Sequence, residues 1–174
     1  MKREEIEEAI KATEERMKAD QQALVELKER LEVVTSQEKE RLHYISSKEI
    51  IDLIYKQTGK KNNMSTIKRW ADEGYLGTVL DEKEKFWALP TKQGKKRFLY
   101  PKEDVYSFLY EKGYLQPQYK ILDRVYLPTT DARPPEAGIV VSSHLLKTEF
   151  MYTIQLESTF ELLKDIPENK LKPC

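Results

Sequence analysis

The amino-acid sequence predicts an α+β chain in three parts: a long amino-terminal helix, a middle segment of short helices around a β-hairpin, and a small β-barrel. Three observations carry this expectation. The stretch from Met1 to about Leu42 has neither Pro nor Gly and is dominated by Glu, Lys, Arg, Gln and Ala, the composition of a continuous helix. Residues 44–116 alternate short apolar-faced runs with Gly- and Pro-marked stops. Residues 117–174 hold short alternating runs rich in β-branched and aromatic residues. Domain boundaries are accordingly placed at 1–43, 44–116 and 117–174.

In the first part, Ile6, Ile10, Thr13, Met17, Asp20, Leu24, Leu27, Leu31 and Val34 follow a 4,3 alternation, the a/d seam of a coiled coil. Its apolar members, Ile6, Ile10, Met17, Leu24, Leu27, Leu31 and Val34, are the expected oligomerisation residues, and self-association the expected role. A helix this charged gains little from propensity alone and is stabilised by burying its seam. Asp20 is a polar defect in that seam. The flanking pairs of a parallel coil are poor, with Ala9 facing Glu14, Arg16 facing Gln21 and Ala23 facing Lys28, so parallel pairing is not assured.

The middle part opens with "YISSKEIIDLIYKQTGKK". Ser46 and Ser47 are candidate N-caps, Ile50, Ile51, Leu53 and Ile54 form the apolar face, and Gly59 ends the helix. "MSTIKRWADEGYLG" follows, with Ser65 as the expected cap, Ile67, Trp70 and Ala71 facing inward and Gly74 as the stop. Trp70 sits at helical spacing from Ile67, which assigns it to the core rather than to a stacking platform. Two apolar-aromatic runs, Phe86 to Leu89 and Arg97 to Tyr100, then flank "PTKQGKK" and predict a basic-tipped hairpin. Pro101 suits the start of a helix that buries Val105, Phe108 and Leu109 and stops at Gly113.

This order of elements resembles the winged helix-turn-helix domain of the MerR and excisionase families over about residues 44–115. "SSKEIIDLI" stands where the first helix would be, "STIKRWADEGYL" where the recognition helix and its exit would be, and "GKKRFLYPKEDVYSFL" where the wing and following helix would be. The chain departs in wing length: twenty residues separate Leu76 from Arg97, longer than the compact excisionase wing. The resemblance implies a sequence-specific binder of double-stranded DNA from a bacterium, phage or mobile element. Asn63, Ser65, Thr66, Lys68 and Arg69 would then meet the major groove, and Lys92, Lys95, Lys96 and Arg97 phosphates or the minor groove.

Charge distribution agrees in part. The chain is neutral overall, with 30 basic and 30 acidic residues, yet residues 46–116 carry 14 Lys and Arg against 10 Asp and Glu. The acidic "DEKEKF" at 81–86 would oppose phosphate if it shared the wing's face.

In the last part, strands are expected at Arg124–Leu127, Gly138–Ser143, Phe150–Glu157 and Phe160–Leu163. Their order, with "DRVYL", a Gly-led "GIVVS", "YTIQLE" and "IPENKLKP", resembles Tudor- or KOW-type small barrels over about residues 121–173. That likeness implies a module with a protein, peptide or nucleic-acid partner and names none. Tyr126, Tyr152 and Phe160 are candidates for core packing or a shallow site, and the loop "PTTDARPPEAG" is expected to be exposed.

No enzyme, cofactor or metal site is expected. His43 and His144 stand without motifs, Cys174 is the single cysteine, and "TKQGKK" lacks the paired glycines of a phosphate loop. With no apolar run of about 18 residues and no signal pattern, a cytoplasmic, nucleoid-associated protein without a membrane partner is expected. The alternative reading is a non-catalytic adaptor that recruits protein partners through the coil and barrel.

Overall fold

The computed structural model describes residues 2–91, 94, 96–128 and 134–174. Its architecture is mixed α and β, with a long first helix and two antiparallel sheets. The chain divides into two compact units, one formed by Met1–Leu42 with Glu82–Lys96 and the other by His43–Asp81 with Arg97–Cys174.

The first unit is built on helix α1 (Arg3–Arg41), in which no residue is buried. At 39 residues it extends about 58 Å at the standard helical rise. Against its last turns packs a segment that begins with the short helix α4 (Glu82–Lys85). Arg41 pairs with Glu82 (3.5 Å), Lys85 with Glu40 (3.0 Å), and the Ala88 N–H donates to Gln37 Oε1 (2.9 Å). Phe86 closes the segment: its N–H donates to the Glu82 carbonyl (2.9 Å), and its ring is fully buried. Phe86 to Leu89 is therefore not the strand expected from its apolar run. A charged helical turn precedes it, and burying one large ring stabilises a turn there instead of an extended edge.

The second unit begins with strand β1 (Tyr44–Ser46) and helix α2 (Ser47–Thr58). Ser46 caps α2 by accepting from the Glu49 N–H (3.3 Å), and Gly59, at φ +72°, ends it in the left-handed region that a glycine adopts without strain. Helix α3 (Met64–Asp72) and strand β2 (Leu80–Asp81) follow, then β3 (Phe98–Pro101) and helix α5 (Lys102–Glu111). The sheet order is β1-β3-β2. Leu80 stands opposite Leu99 and Ile45 opposite Tyr100, so Phe98–Pro101 takes its partners from 44–46 and 80–81, not from 86–89. Three strands bury Leu99 and Tyr100, which a lone hairpin could not do.

Strands β4 (Arg124–Leu127), β5 (Glu136–Leu146), β6 (Glu149–Leu156), β7 (Leu162–Pro167) and β8 (Lys172–Pro173) form a second sheet, ordered β7-β6-β5-β4-β8. It is a five-stranded sheet with β7 and β8 at its edges, and the expected closed barrel is not formed. Closure would need β7 to reach β8, and both are short, with β8 only two residues long. The alternation read from β6 holds: Phe150, Tyr152, Ile154 and Leu156 are buried, and Met151, Thr153 and Gln155 are half-buried.

One hydrophobic core runs through this unit. It joins Ile50, Ile54, Ile67 and Leu109 to Val125, Val140, Tyr152 and Leu171. Tyr110 of α5 meets Phe150 of β6 edge-on at 5.6 Å. The helices and the second sheet therefore share a core across residues 116 and 117.

Candidate nucleic-acid interface

Helix α3 and its N-cap together hold five of the nine expected DNA-facing residues. Its amino terminus is organised by Asn63, not Ser65. Asn63 Oδ1 accepts from the Thr66 N–H (3.0 Å), from Thr66 Oγ1 (3.0 Å) and from Ser65 Oγ (2.8 Å). Asn and Ser are equally good N-caps. Asn63 takes the position because its carbonyl oxygen reaches the N–H three residues on, where helical geometry leaves an unpaired donor. Both hydroxyls are thereby turned toward the cap, and the side chains that point freely outward are fewer than the sequence suggested.

Lys68 and Arg69 are exposed, as are Ser65 and Asp72. Spacing of three, four and seven residues sets all four on one face of α3. The opposite face is anchored. Ile67 is fully buried, and Trp70 lies edge-on to Phe108 at 5.1 Å and tilted on Tyr114 at 5.5 Å, so the tryptophan is a core residue as expected. Tyr75, just past the helix, stacks on the same Phe108 at 5.1 Å and 11°. These contacts fix the rotation of α3, which an interface helix needs.

The turn before α3 adds exposed Lys60 and Lys61, so four cations lie along the turn and outward face. Asp72 and Glu73, both exposed, put acid at the carboxyl end. Contact with a polyanion is thereby favoured on the part of the helix that precedes Asp72, and the helix dipole favours negative charge at its amino-terminal end.

The expected hairpin tip is only partly described. Lys92 and Lys95 lie outside the described residues. Lys96 is exposed and belongs to the unit that contains α1, whereas exposed Arg97 immediately precedes β3 in the unit that contains α3. The expected group of nine residues is thus divided between two units.

The expected oligomerisation residues are open. Ile6, Ile10, Met17, Leu24, Leu27 and Leu31 are between 44% and 64% exposed, and Val34 is half-buried. Beside the seam, Glu26, Arg30, Val33, Val34, Trp87 and Ala88 line a groove of about 470 Å³. Sequence reasoning missed Trp87, whose ring is 70% exposed; the only signal was its adjacency to Phe86, and one of two neighbouring aromatics in a turn must face away from the core.

Among Tyr126, Tyr152 and Phe160, only Tyr152 is buried. No helix is long and apolar enough to cross a membrane among the described residues. Comparison with protein-family models, with curated proteins and with solved structures finds no match for this chain.

Proposed function

We propose that the chain is a sequence-specific double-stranded DNA-binding protein, a dimer through α1, acting as a transcriptional regulator or as an accessory factor in recombination or partition. The observation that carries this reading is α3 itself. A short helix is held by Ile67 and Trp70 while Lys68 and Arg69 are exposed on it and Lys60 and Lys61 are exposed on the turn before it. An element of that kind presents its outward face to a major groove, Arg pairing with guanine edges and Lys with phosphates. The likeness of residues 44–115 to MerR and excisionase domains supports the same assignment.

The test is selection of bound duplexes from a randomised pool by the full chain, followed by anisotropy titration at two salt concentrations. Enrichment of a defined sequence supports the reading, and binding that selects nothing and is equally weak at low salt refutes it.

A second reading is favoured by a separate observation. Phe160, just before the edge strand β7, and Leu162, its first residue, are 72% and 50% exposed. An exposed aromatic beside an open sheet edge suits a peptide added as a further strand, which is the adaptor role. Loss of partner capture on Phe160→Ser with DNA binding unchanged would separate the two.

A further inference from the structure

We infer that α1 pairs with α1 of a second copy in antiparallel orientation, with Ile10 opposite Leu27 and a two-fold axis near residues 18 and 19. This rests on the proposal that the chain is a dimer through α1, and it adds the orientation and register.

The orientation follows from the charged residues at seam positions. The 4,3 spacing continues outward from Ile6 to Arg3 and from Val34 to Glu38. In a parallel, in-register pair each seam residue meets its own copy. Arg3 then faces Arg3 and Asp20 faces Asp20, two like-charge layers within one interface. An antiparallel pair matches each a position with a d position and removes both.

The register follows from which part of the seam is open. Toward its carboxyl end the helix lies against its own chain, with Val33 and Val34 sharing a groove with Trp87 and Gln37, Glu40 and Arg41 held by Ala88, Lys85 and Glu82. A second helix therefore has the stretch from Arg3 to Leu31, with half-buried Val34 at its boundary. One antiparallel register uses that stretch fully. It sets Ile10 on Leu27, Met17 on Asp20, Leu24 on Thr13 and Leu31 on Ile6. Sliding by one heptad toward the carboxyl end would drive Ile6 of the second copy against Glu38, beside the occupied turns.

The flanks agree with this register. Glu7 faces Lys28 of the second copy, twice by symmetry, and Glu14 faces Gln21. On the other side Arg16 faces Ala23 and Arg30 faces Ala9, so no flanking pair is repulsive. Asp20 meets Met17 in place of a second carboxylate. The pairing carries the two Arg41 residues about 68 Å apart at the helical rise of 1.5 Å.

The experiment is pulsed electron-spin distance measurement on the full chain, with Cys174→Ser removing the exposed native thiol and a nitroxide on Glu15→Cys or Ser36→Cys, both on the outer face. The antiparallel register gives about 55 Å between labels at 36 and about 20 Å at 15, from the helical rise and an interaxial spacing of about 10 Å. Equal distances near 20 Å at both sites, in a chain that sediments as a dimer, overturn the orientation and leave the dimer standing. A monomer at all concentrations overturns both. A charge swap gives an independent readout: Glu7→Lys weakens association roughly tenfold, and adding Lys28→Glu restores it to within about threefold. A parallel pair opposes Glu7 to Lys2, and there the second change restores nothing.

Discussion

The Tyr152 hydroxyl donates a hydrogen bond to Glu168 at 2.5 Å. The same oxygen accepts from the Tyr119 N–H at 3.3 Å, and Glu168 accepts from the Gln118 N–H at 3.1 Å. Tyr119 in turn donates from its hydroxyl to the Leu171 carbonyl at 3.2 Å. These bonds tie the segment that follows α5 to β6 and to the turn before β8, so one polar cluster joins the helices to the second sheet.

Tyr152→Phe removes the hydroxyl and leaves the ring. It leaves Glu168 short of one donor and the Tyr119 N–H unpaired, and hydrogen bonds to charged groups contribute about 1.5–3 kcal/mol. Urea unfolding is expected to show a loss of that size. No change in midpoint would mean that water replaces the hydroxyl.

The same residue governs behaviour in alkali. Burial, and then the hydrogen bond to Glu168, hold the Tyr152 hydroxyl well above its ordinary value of 10.0. The folded state thus keeps a proton that the unfolded chain releases, so this stabilisation is complete below pH 10 and declines as pH rises above it. Unfolding free energy measured from pH 9 upward should fall, and the fall should be shallower in Tyr152→Phe.

Asn63→Ala is expected to cost about 1 kcal/mol, the usual value of an N-cap, and Asn63→Asp nearly nothing, because Asp caps equally well. On the DNA-binding reading Asn63→Asp weakens binding by placing a carboxylate at the groove. Thermal melting and anisotropy together separate the capping role from the contact role.

Arg69→Ala should leave stability within about 0.5 kcal/mol, as an exposed surface change does, and relax sequence preference at one or two positions. Alanines at Lys95 and Lys96 should weaken all duplexes alike and reduce the salt dependence. Mobility-shift titrations in which neither pattern appears would remove these residues from the interface.

Gly138→Ala tests the sheet. A Cβ at this position would lie 2.5 Å from Ile154 Cγ2 and 2.8 Å from the Gln155 carbonyl, closer than real contacts. A penalty of about 1–3 kcal/mol is expected for forcing such an overlap into a packed core, read as a lower denaturation midpoint. Phe86→Ala, by contrast, should cost about 3–5 kcal/mol through the cavity it opens, whereas Trp87→Ala, exposed on the same turn, should cost far less.

The sequence by itself determined the elements whose signals are local. The long helix follows from a stretch without Pro or Gly; α2 lies between Ser46 and Gly59; α5 buries Val105, Phe108 and Leu109; and β6 alternates from Phe150 to Leu156. In the last three the period is written within a dozen positions, and in the first the absence of helix breakers is itself the signal. Tertiary structure decided what depends on distant partners. Phe98–Pro101 pairs with 44–46 and 80–81 because burying Leu99 and Tyr100 requires strands on both sides, and nothing near residue 98 names them. Phe86 and Trp87, neighbours in sequence, were separated into a buried and an exposed ring, since a turn can send only one ring inward. The cap of α3 passed from Ser65 to Asn63 once the backbone had set which oxygen reached the Thr66 N–H. A strand register, a ring's burial and a hydroxyl's partner are properties of groups brought together from far along the chain, and local pattern does not contain them.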